Sequence, residues 1–275
     1  MAAEKIELLK RWFCEVGDCL IAYSGGTDSV LLAVVAHLAV GSRSLAVIAD
    51  SPSLPRHELD EALALSKRHG FNVKIVQTRE FENPSYIANP SNRCYFCKAE
   101  LFSEMAPLAR ELGLATIVYG ENATDLSDDR PGALAAKEFH VRAPLKELGF
   151  TKSDVRACSA LLGLSTANKA QMACLSSRIP HGEVVSEQKL RMIEAAESIL
   201  RSLGFHDLRV RHHELSSGAL ARIEVGQAEV ESALDPRLRG VISVSLSQIG
   251  YRFVTLDLVG YKRHETVTSE VSRAF

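Results

Sequence analysis

Short apolar runs alternate with helical segments between residues 19 and 150. The apolar runs cover residues 19–23, 44–49, 73–76 and 116–119. Segments between the runs repeat apolar side chains every three or four residues, as amphipathic helices do, over residues 29–38, 56–69 and 98–112. Buried strands that alternate with helices are typical of a parallel sheet covered by helices on both faces. The pattern therefore predicts an α/β fold for this part of the chain.

The pattern changes near residue 186. One long helical segment, residues 187–203, precedes Gly204, a residue that favours a helix end. Strand patterns then follow over residues 208–211, 220–225 and 253–259. One helix followed by separate strands predicts a smaller C-terminal α+β domain.

Residues 176–183 have the composition of a linker, because Pro180 and Gly182 interrupt regular structure. We therefore expect the two domains to meet at the end of this segment. The predicted domains are residues 1–183 and residues 184–275.

A glycine-rich loop joins the first predicted strand to the first predicted helix. Its residues are Ser24, Gly25, Gly26, Thr27, Asp28 and Ser29. Backbone N–H groups at a helix N-terminus bind anions, and the two glycines let the main chain approach a phosphate without a Cβ clash. The serine hydroxyls can add donors, whereas Asp28 suits a partner of bound Mg²⁺ or a helix cap. The loop has no lysine, so it differs from the G-x-x-x-x-G-K-[ST] phosphate loop. A tight strand-to-helix turn is the simpler interpretation of the two glycines taken alone.

Polar residues follow two other predicted strands. Asp50 and Ser51 end the second strand, and Gly120, Glu121 and Asn122 end the fourth. In an open parallel sheet, the ligand binds beyond the carboxyl ends of the strands. We expect these residues to line the same crevice as the loop, with ordinary turn residues as the alternative.

Six cysteines occur in a chain whose first 13 residues indicate an amphipathic helix and not a secretory signal. We therefore interpret them as thiols, ligands or nucleophiles and not as disulfides. Cys14, Cys19 and Cys158 lie in apolar-periodic segments, so we expect them to fill the core.

The other three cysteines form a different pattern. Cys94 and Cys97 make a C-x-x-C pair, and Cys174 stands alone. A structural zinc site normally takes four ligands, so the pair does not complete one. Three thiolates can hold a [4Fe–4S] cluster and leave one iron open to an external ligand. A redox pair, a partial zinc site and, for Cys174, an apolar filler in the core are the alternatives.

Charge and hydropathy count against two classes of partner. The formal net charge is −2, which gives no general attraction for a polyanion such as nucleic acid. No stretch approaches the roughly 20 apolar residues that a membrane helix needs. We expect a cytoplasmic protein that binds neither nucleic acid nor a membrane.

Several motifs together resemble one known family. Residues 24–29 resemble the pyrophosphate loop (PP-loop) of the ATP pyrophosphatase superfamily. Four further motifs follow it in order, at residues 93–98, 120–125, 128–132 and 173–178. With these motifs the chain is similar, over nearly its full length, to the ATP-dependent sulfur transferases that help build the nickel-pincer nucleotide cofactor of lactate racemase.

The resemblance implies a PP-loop domain of the adenine nucleotide alpha hydrolase-like type, which uses ATP and Mg²⁺. It implies that a carboxylate of pyridinium-3,5-biscarboxylic acid mononucleotide is adenylated and converted to a thiocarboxylate. In one branch of the family, a cysteine at the position of Cys174 gives up its own sulfur. In the other branch, three cysteines matching Cys94, Cys97 and Cys174 bind a [4Fe–4S] cluster, and the presence of all three resembles this branch. The resemblance also implies a homo-oligomer, a sulfide source and a downstream nickel-insertion protein.

These considerations assign candidate roles to individual residues. Asp28, Cys174 and Arg178 are the catalytic candidates. Guanidinium groups match phosphate oxygens, so Arg209 and Arg211 are candidates for binding a substrate phosphate, with a solvated basic face as the alternative.

The sequence is also compatible with three other functions. A tRNA 2-thiolation enzyme of the same superfamily can combine a pyrophosphate loop with three cysteines, but it has to bind a large polyanion. An amide-forming ligase uses the same adenylation and leaves the cysteines idle. A nucleotide-binding sensor binds ATP without turnover.

Overall fold

The computed structural model describes residues 1–124, 131–169 and 173–261. The chain divides into two compact units, Met1–Cys174 and Leu175–Phe275. The boundary expected after residue 183 stays a prediction. Among the helices in the described ranges, none is both long and apolar enough to cross a membrane.

A four-stranded parallel sheet forms the centre of the first unit. Its strands are β1 (Cys19–Ala22), β2 (Ser44–Asp50), β3 (Val73–Gln77) and β4 (Thr116–Tyr119), in the order β3-β2-β1-β4. Leu20 of β1 pairs with Leu45 on one side and with Ile117 on the other. The central position of β1 brings the loop that follows it between the ends of β2 and β4.

Helices surround this sheet. They are α1 (Ala2–Val16), α2 (Thr27–Val40), α3 (Arg56–His69), α4 (Pro84–Ile87), α5 (Arg93–Leu112), α6 (Pro131–Glu138), α7 (Pro144–Glu147) and α8 (Lys152–Leu161). Side chains of β1 alternate between two apolar clusters: Cys19 and Ile21 join the cluster that includes residues of α1, α2 and α8. Leu20 joins the cluster that includes residues of α5 and α6. Both faces of the sheet are therefore covered, and the predicted α/β fold is confirmed.

Two details of the first unit differ from the sequence expectations. The helix expected over residues 98–112 begins earlier, at Arg93, so it includes the C-x-x-C pair. Cys14 was expected in the core but is exposed, because it lies one position beyond Phe13 and the helix turns it away from the buried face. Cys19 and Cys158 are buried as expected.

The second unit is a small α+β structure, as predicted. It contains α9 (Glu187–Ser202), β5 (Leu208–Leu215), β6 (Gly218–Val225), α10 (Val230–Ala233), α11 (Pro236–Ile249) and β7 (Phe253–Leu256). β5 and β6 pair antiparallel as a hairpin, and β7 adds parallel to β6. Residues of α9 and α11, such as Leu200 and Leu246, share an apolar core with Val210 and Ile223 of the sheet. This unit therefore has a core of its own.

Candidate active site

The glycine-rich loop crosses from β1 to the N-terminus of α2. Gly25 has a φ of +72°, which L side chains rarely adopt, and a Cβ there would lie 2.9 Å from the Cβ of Ala62. Gly26 is the N-cap residue of α2 and has no side chain to cap it. Only glycine therefore fits at position 25, and α2 begins without a side-chain cap, as helix N-termini that bind phosphate often do.

Hydrogen bonds within the loop hold its shape. The Ser24 and Ser29 hydroxyls lie 3.2 Å apart, and the Ser24 backbone N–H donates to the Ser29 Oγ at 3.2 Å. The Ser29 hydroxyl also donates to the Gly26 carbonyl at 3.0 Å. The buried Thr27 hydroxyl donates to the Thr166 carbonyl at 3.0 Å. These hydrogen bonds connect the two ends of the loop and tie the start of α2 to the segment around Thr166.

Asp28 meets partners from two distant segments. Its Oδ1 accepts a hydrogen bond from the Asn122 Nδ2 at 3.2 Å, and its Oδ2 lies 2.5 Å from the Lys152 Nζ. Lys152 is the first residue of α8 and supplies the positive charge that the loop lacks. Sequence reasoning missed this lysine. No local signal could have found it, because it lies 124 residues from Asp28 along the chain.

The end of β4 lies against the loop. A Cβ on Gly120 would be 3.0 Å from the Asp28 Cβ and 3.0 Å from the Ser29 backbone N, so only glycine fits without a shift. Asn122 is buried, and its Oδ1 accepts from the Thr124 backbone N–H at 3.0 Å. The structure thus brings the predicted residues at this strand end together with the loop.

The two predicted residues at the end of β2, Asp50 and Ser51, form hydrogen bonds and an ion pair with neighbouring residues. The Asp50 Oδ1 lies 2.6 Å from the Arg56 Nη1, and its Oδ2 accepts from the Gln77 Nε2 at 2.9 Å. The Ser51 hydroxyl accepts from the Ser53 backbone N–H at 3.2 Å. β2 runs beside β1, so both residues lie at the same sheet edge as the loop, and their part in nucleotide binding stays a prediction.

A second lysine lies beside α3, the helix that Gly25 contacts. The Lys169 Nζ is 2.6 Å from the Glu58 Oε2 and 2.8 Å from the Glu61 Oε2. Burial raises the pKa of Glu58, but hydrogen bonds from His57 and Lys169 outweigh it and lower this pKa to about 2. Burial lowers the pKa of Lys169, and its two carboxylate partners raise it by more.

The three candidate cysteines lie near one another in the first unit. Burial is the main cause that raises the pKa of Cys97, and the charges of Glu80, Cys174 and Cys94 raise it further. The pKa of Cys94 is raised by burial first and then by Cys174. Each thiol therefore lies within the electrostatic reach of the others, although Cys174 is distant in sequence.

Within the described ranges, no group of three or more histidine, cysteine or acidic side chains is arranged to hold a single metal ion. The thiolate ligands of a [4Fe–4S] cluster bind different iron atoms, so they do not converge on one point as the ligands of one ion do. Three neighbouring thiols are the soft donors that iron–sulfur clusters use. The donor chemistry therefore fits a cluster, and the assignment of these ligands stays a prediction.

The arginine candidates lie in the second unit, where each has protein partners. The Arg178 Nε donates to the Glu197 Oε1 at 2.9 Å, and both side chains are buried. The Arg209 Nη2 donates to the Tyr261 hydroxyl at 2.7 Å. The Arg211 Nε donates to the Glu224 Oε1 at 3.0 Å. Their predicted roles toward a substrate stay predictions, and Cys174 belongs to the first unit, not to this one.

Some motif residues cannot be placed. Asp125, Asp128, Asp129 and Arg130 of the sequence motifs lie outside the described residues. The same is true of residues 170–172, which precede the motif that contains Cys174.

Comparison with known proteins finds relatives over most of the chain, although no family model matches it. An uncharacterized protein of Synechocystis sp. is 44% identical over 262 residues, 95% of this chain and 96% of that protein. Pyridinium-3,5-bisthiocarboxylic acid mononucleotide synthase of Lactiplantibacillus plantarum is 35% identical over 244 residues, 88% of this chain and 86% of that protein. A glutamine-hydrolyzing GMP synthase of Aeropyrum pernix is 29% identical over 73% of this chain and 42% of its own length. The first two similarities reach into both compact units.

Proposed function

The chain belongs to the family of the pyridinium-3,5-bisthiocarboxylic acid mononucleotide synthase, and from this relationship we propose that it is an ATP-dependent sulfurtransferase that forms AMP and pyrophosphate. Its substrate in this proposal is the small nucleotide pyridinium-3,5-biscarboxylic acid mononucleotide. One carboxylate of this substrate becomes a thiocarboxylate, on the way to the nickel-pincer nucleotide. The named relative is a synthase, and the family is one of enzymes.

The observation that carries the proposal is the set of groups around Asp28. A glycine-rich loop, a carboxylate, an amide and a lysine meet at the carboxyl end of a parallel sheet. Residues 24–29 would bind the β- and γ-phosphates through backbone amides. Asp28 would hold Mg²⁺, which neutralises phosphate charge when it is bound. Lys152 would add a second positive charge beside the same phosphates.

The first half of the reaction is adenylation. A substrate carboxylate oxygen attacks the α-phosphorus of ATP, and the bond from this phosphorus to the oxygen that bridges to the β-phosphate breaks. Pyrophosphate leaves, and an acyl-adenylate forms. A poor leaving group, oxide, is thereby replaced by a good one, AMP.

The second half is acyl transfer to sulfur. An anionic sulfur attacks the carbonyl carbon of the acyl-adenylate, a C–S bond forms, and the C–O bond to AMP breaks. Cys94, Cys97 and Cys174 would hold a [4Fe–4S] cluster, which supplies an iron that can carry sulfide when the cluster is bound. In the alternative branch of the family, the Cys174 thiolate itself makes this attack.

Other parts of the proposal rest on family membership and on general chemistry. Arg178 would contact the reacting substrate, and Arg209 and Arg211 would bind its phosphate, since guanidinium forks match phosphate oxygens. We infer a cytoplasmic homo-oligomer, because the reaction consumes ATP and members of the family assemble with their own copies. A sulfide source and a nickel-insertion protein would act before and after it.

The Asp28→Asn substitution tests the adenylation step. It keeps the shape of the side chain and removes the charge that would hold Mg²⁺, so we expect pyrophosphate release to fall by about 10²-fold or more. The measurement is pyrophosphate and AMP formed per chain with the pyridinium substrate.

Asp18→Asn is the matched control for this test. Asp18 precedes β1 at the opposite end of the strand from the loop, and its carboxylate lies 3.7 Å from the Arg43 guanidinium. We expect wild-type turnover from this variant. Wild-type turnover in Asp28→Asn would instead remove the loop carboxylate from the reaction.

Iron binding tests the sulfur half separately. After anaerobic reconstitution with iron and sulfide, we expect about four irons per chain in the wild type and substantial loss in Cys94→Ala. Cys14→Ala, which changes an exposed cysteine on α1, should keep the wild-type iron content. Iron is counted by chemical assay and the cluster by its visible absorption.

Two results would contradict the cluster assignment. One is full iron content in Cys94→Ala. The other is a wild-type chain that takes up no iron and loses about 34 Da on turnover, which is the loss of one sulfur as hydrogen sulfide from a cysteine. The second result would favour sacrifice of Cys174.

A further inference from the structure

A buried guanidinium lies beside one of the three cysteines. The Arg93 Nη2 donates to the Cys174 Sγ at 3.9 Å, within the first unit. Arg93 is 4% exposed, whereas Cys174 is partly exposed. Arginine keeps its charge at every accessible pH. A permanent positive charge therefore lies next to the sulfur of a partly exposed cysteine.

The position of Arg93 is set by a buried asparagine. The Asn89 Oδ1 accepts a hydrogen bond from the Arg93 Nη1, and Asn89 is fully buried. Asn89 has a φ of +54°, in the left-handed region that asparagine enters more readily than most residues. Its backbone N–H donates to the Tyr86 carbonyl at 3.0 Å, and the Tyr86 hydroxyl lies 2.6 Å from the Ser53 Oγ. The guanidinium is therefore held by the core and does not move freely in solvent.

The charge of Arg93 reaches more than one sulfur. It lowers the pKa of both Cys94 and Cys97, against the burial and the neighbouring thiols that raise these pKa values. Glu80 is buried near Cys97 and acts in the opposite direction. The buried Glu80 carboxylate would repel an incoming anion. The Arg93 charge, which lies beside Cys174, offsets this repulsion.

This arrangement extends the proposed function, on which it rests. We propose that the Arg93 guanidinium beside Cys174 is a binding point for a small monovalent anion, the charge class of hydrosulfide, and that Asn89 is a positioning residue for Arg93. The anionic sulfur donor then approaches the three-thiol group beside Arg93. A neutral sulfur donor would gain nothing from this charge.

Competing alkylation of the full-length, iron-free chain tests the proposal. Iodoacetate carries a negative charge and iodoacetamide is neutral, and in both cases the thiolate sulfur displaces iodide. Because both reagents react with the same thiolate, the ratio of their rates at one cysteine is independent of the thiolate fraction. The ratio therefore measures the attraction for negative charge. Peptide mass spectrometry gives the ratio for each cysteine, and exposed Cys14 serves as an internal reference.

We expect the iodoacetate to iodoacetamide ratio at Cys174 to exceed that at Cys14 by about tenfold in the wild type. Arg93→Met should reduce the Cys174 ratio to the Cys14 level, and Arg93→Lys should retain part of the excess. Asn89→Gly should lower the ratio partway, because glycine keeps the left-handed backbone while the Oδ1 that holds Arg93 is lost. His140→Gly is the matched control: His140 is exposed with a φ of +53°, and its replacement should leave the ratio unchanged.

An unchanged ratio in Arg93→Met would overturn the anion site. If Arg93→Met fails to fold, Arg93→Lys and Asn89→Gly carry the test, and wild-type ratios in both would overturn it equally. A wild-type ratio in a folded Asn89→Gly, alongside a reduced ratio in Arg93→Met, would overturn only the positioning role of Asn89. The assay contains no ATP, substrate or iron, so its result is independent of the pyrophosphate assay that tests the proposed function.

Discussion

Gly120 follows β4 and lies against the N-terminus of α2. A methyl group there would come within 3.0 Å of the Asp28 Cβ and of the Ser29 backbone N, and backbone atoms at a helix start cannot move aside cheaply. We expect Gly120→Ala to lower the free energy of unfolding by about 1 to 3 kcal/mol and to raise the KM for ATP. Thermal melting and initial rates at varied ATP measure the two effects.

Gly240→Ala provides the control for this residue. Gly240 lies inside α11, and a Cβ there meets nothing within 4 Å. Alanine is the better helix former, so this variant should be as stable as the wild type or more stable, by about 0.5 to 1 kcal/mol. A Gly120→Ala variant that melted and bound ATP like the wild type would show that α2 and β4 can separate at little cost.

Ion pairs connect two elements of the first unit. Lys169 follows the short 3₁₀ helix Ser165–Asn168 and pairs with Glu58 and Glu61 of α3. The pKa of Glu58 falls from its ordinary 4.5 to about 2 in the folded protein. The stability from this pair is therefore present above pH 4.5 and is lost as the pH falls from 4.5 toward 2. Because the pKa of Lys169 is raised above 10.5, the stability that the charged lysine contributes is fully present below pH 10.5 and is lost only at higher pH.

We expect Lys169→Met to lower stability at pH 7 by about 1 to 2 kcal/mol, since it leaves two carboxylates without their cation. The difference in Tm from the wild type should narrow steadily as the pH falls from 4.5 toward 2. Lys10→Met removes an exposed pair with Glu7 and should change the Tm little at any pH. A Tm difference that stayed constant down to pH 2.5 would contradict the depressed pKa of Glu58.

The C-x-x-C pair lies in the first turns of α5, and this position determines how the two cysteines are oriented. Residues three apart on a helix lie on the same face, so a helix that begins at Arg93 turns Cys94 and Cys97 to one side. The apolar periodicity after residue 98 predicted the body of this helix. The earlier turn could not be predicted from that periodicity, because it contains two cysteines and a buried arginine, Arg93. The neighbours of Cys97 include Glu80 and Cys174, which lie elsewhere along the chain.

At the scale of the whole molecule, each compact unit has its own apolar core. The first unit packs two apolar clusters on opposite faces of one parallel sheet, and the second packs helices against a three-stranded sheet. The change in sequence pattern near residue 186 predicted two structural classes in one chain, and the structure confirms this. The arginines proposed as substrate ligands belong to the second unit and are already paired there, with Glu197, Tyr261 and Glu224.

Local patterns in the sequence determined the fold class and the loop. Strand and helix periodicities are properties of neighbouring residues, and the loop is six consecutive residues, so both can be recognised without knowing the fold. Only the tertiary structure decided which side chains meet. Asn122 and Lys152 reach Asp28 across 94 and 124 residues, and Arg93 reaches Cys174 across 81. Such contacts follow from strand order and helix packing, which the spacing of residues along one chain does not encode.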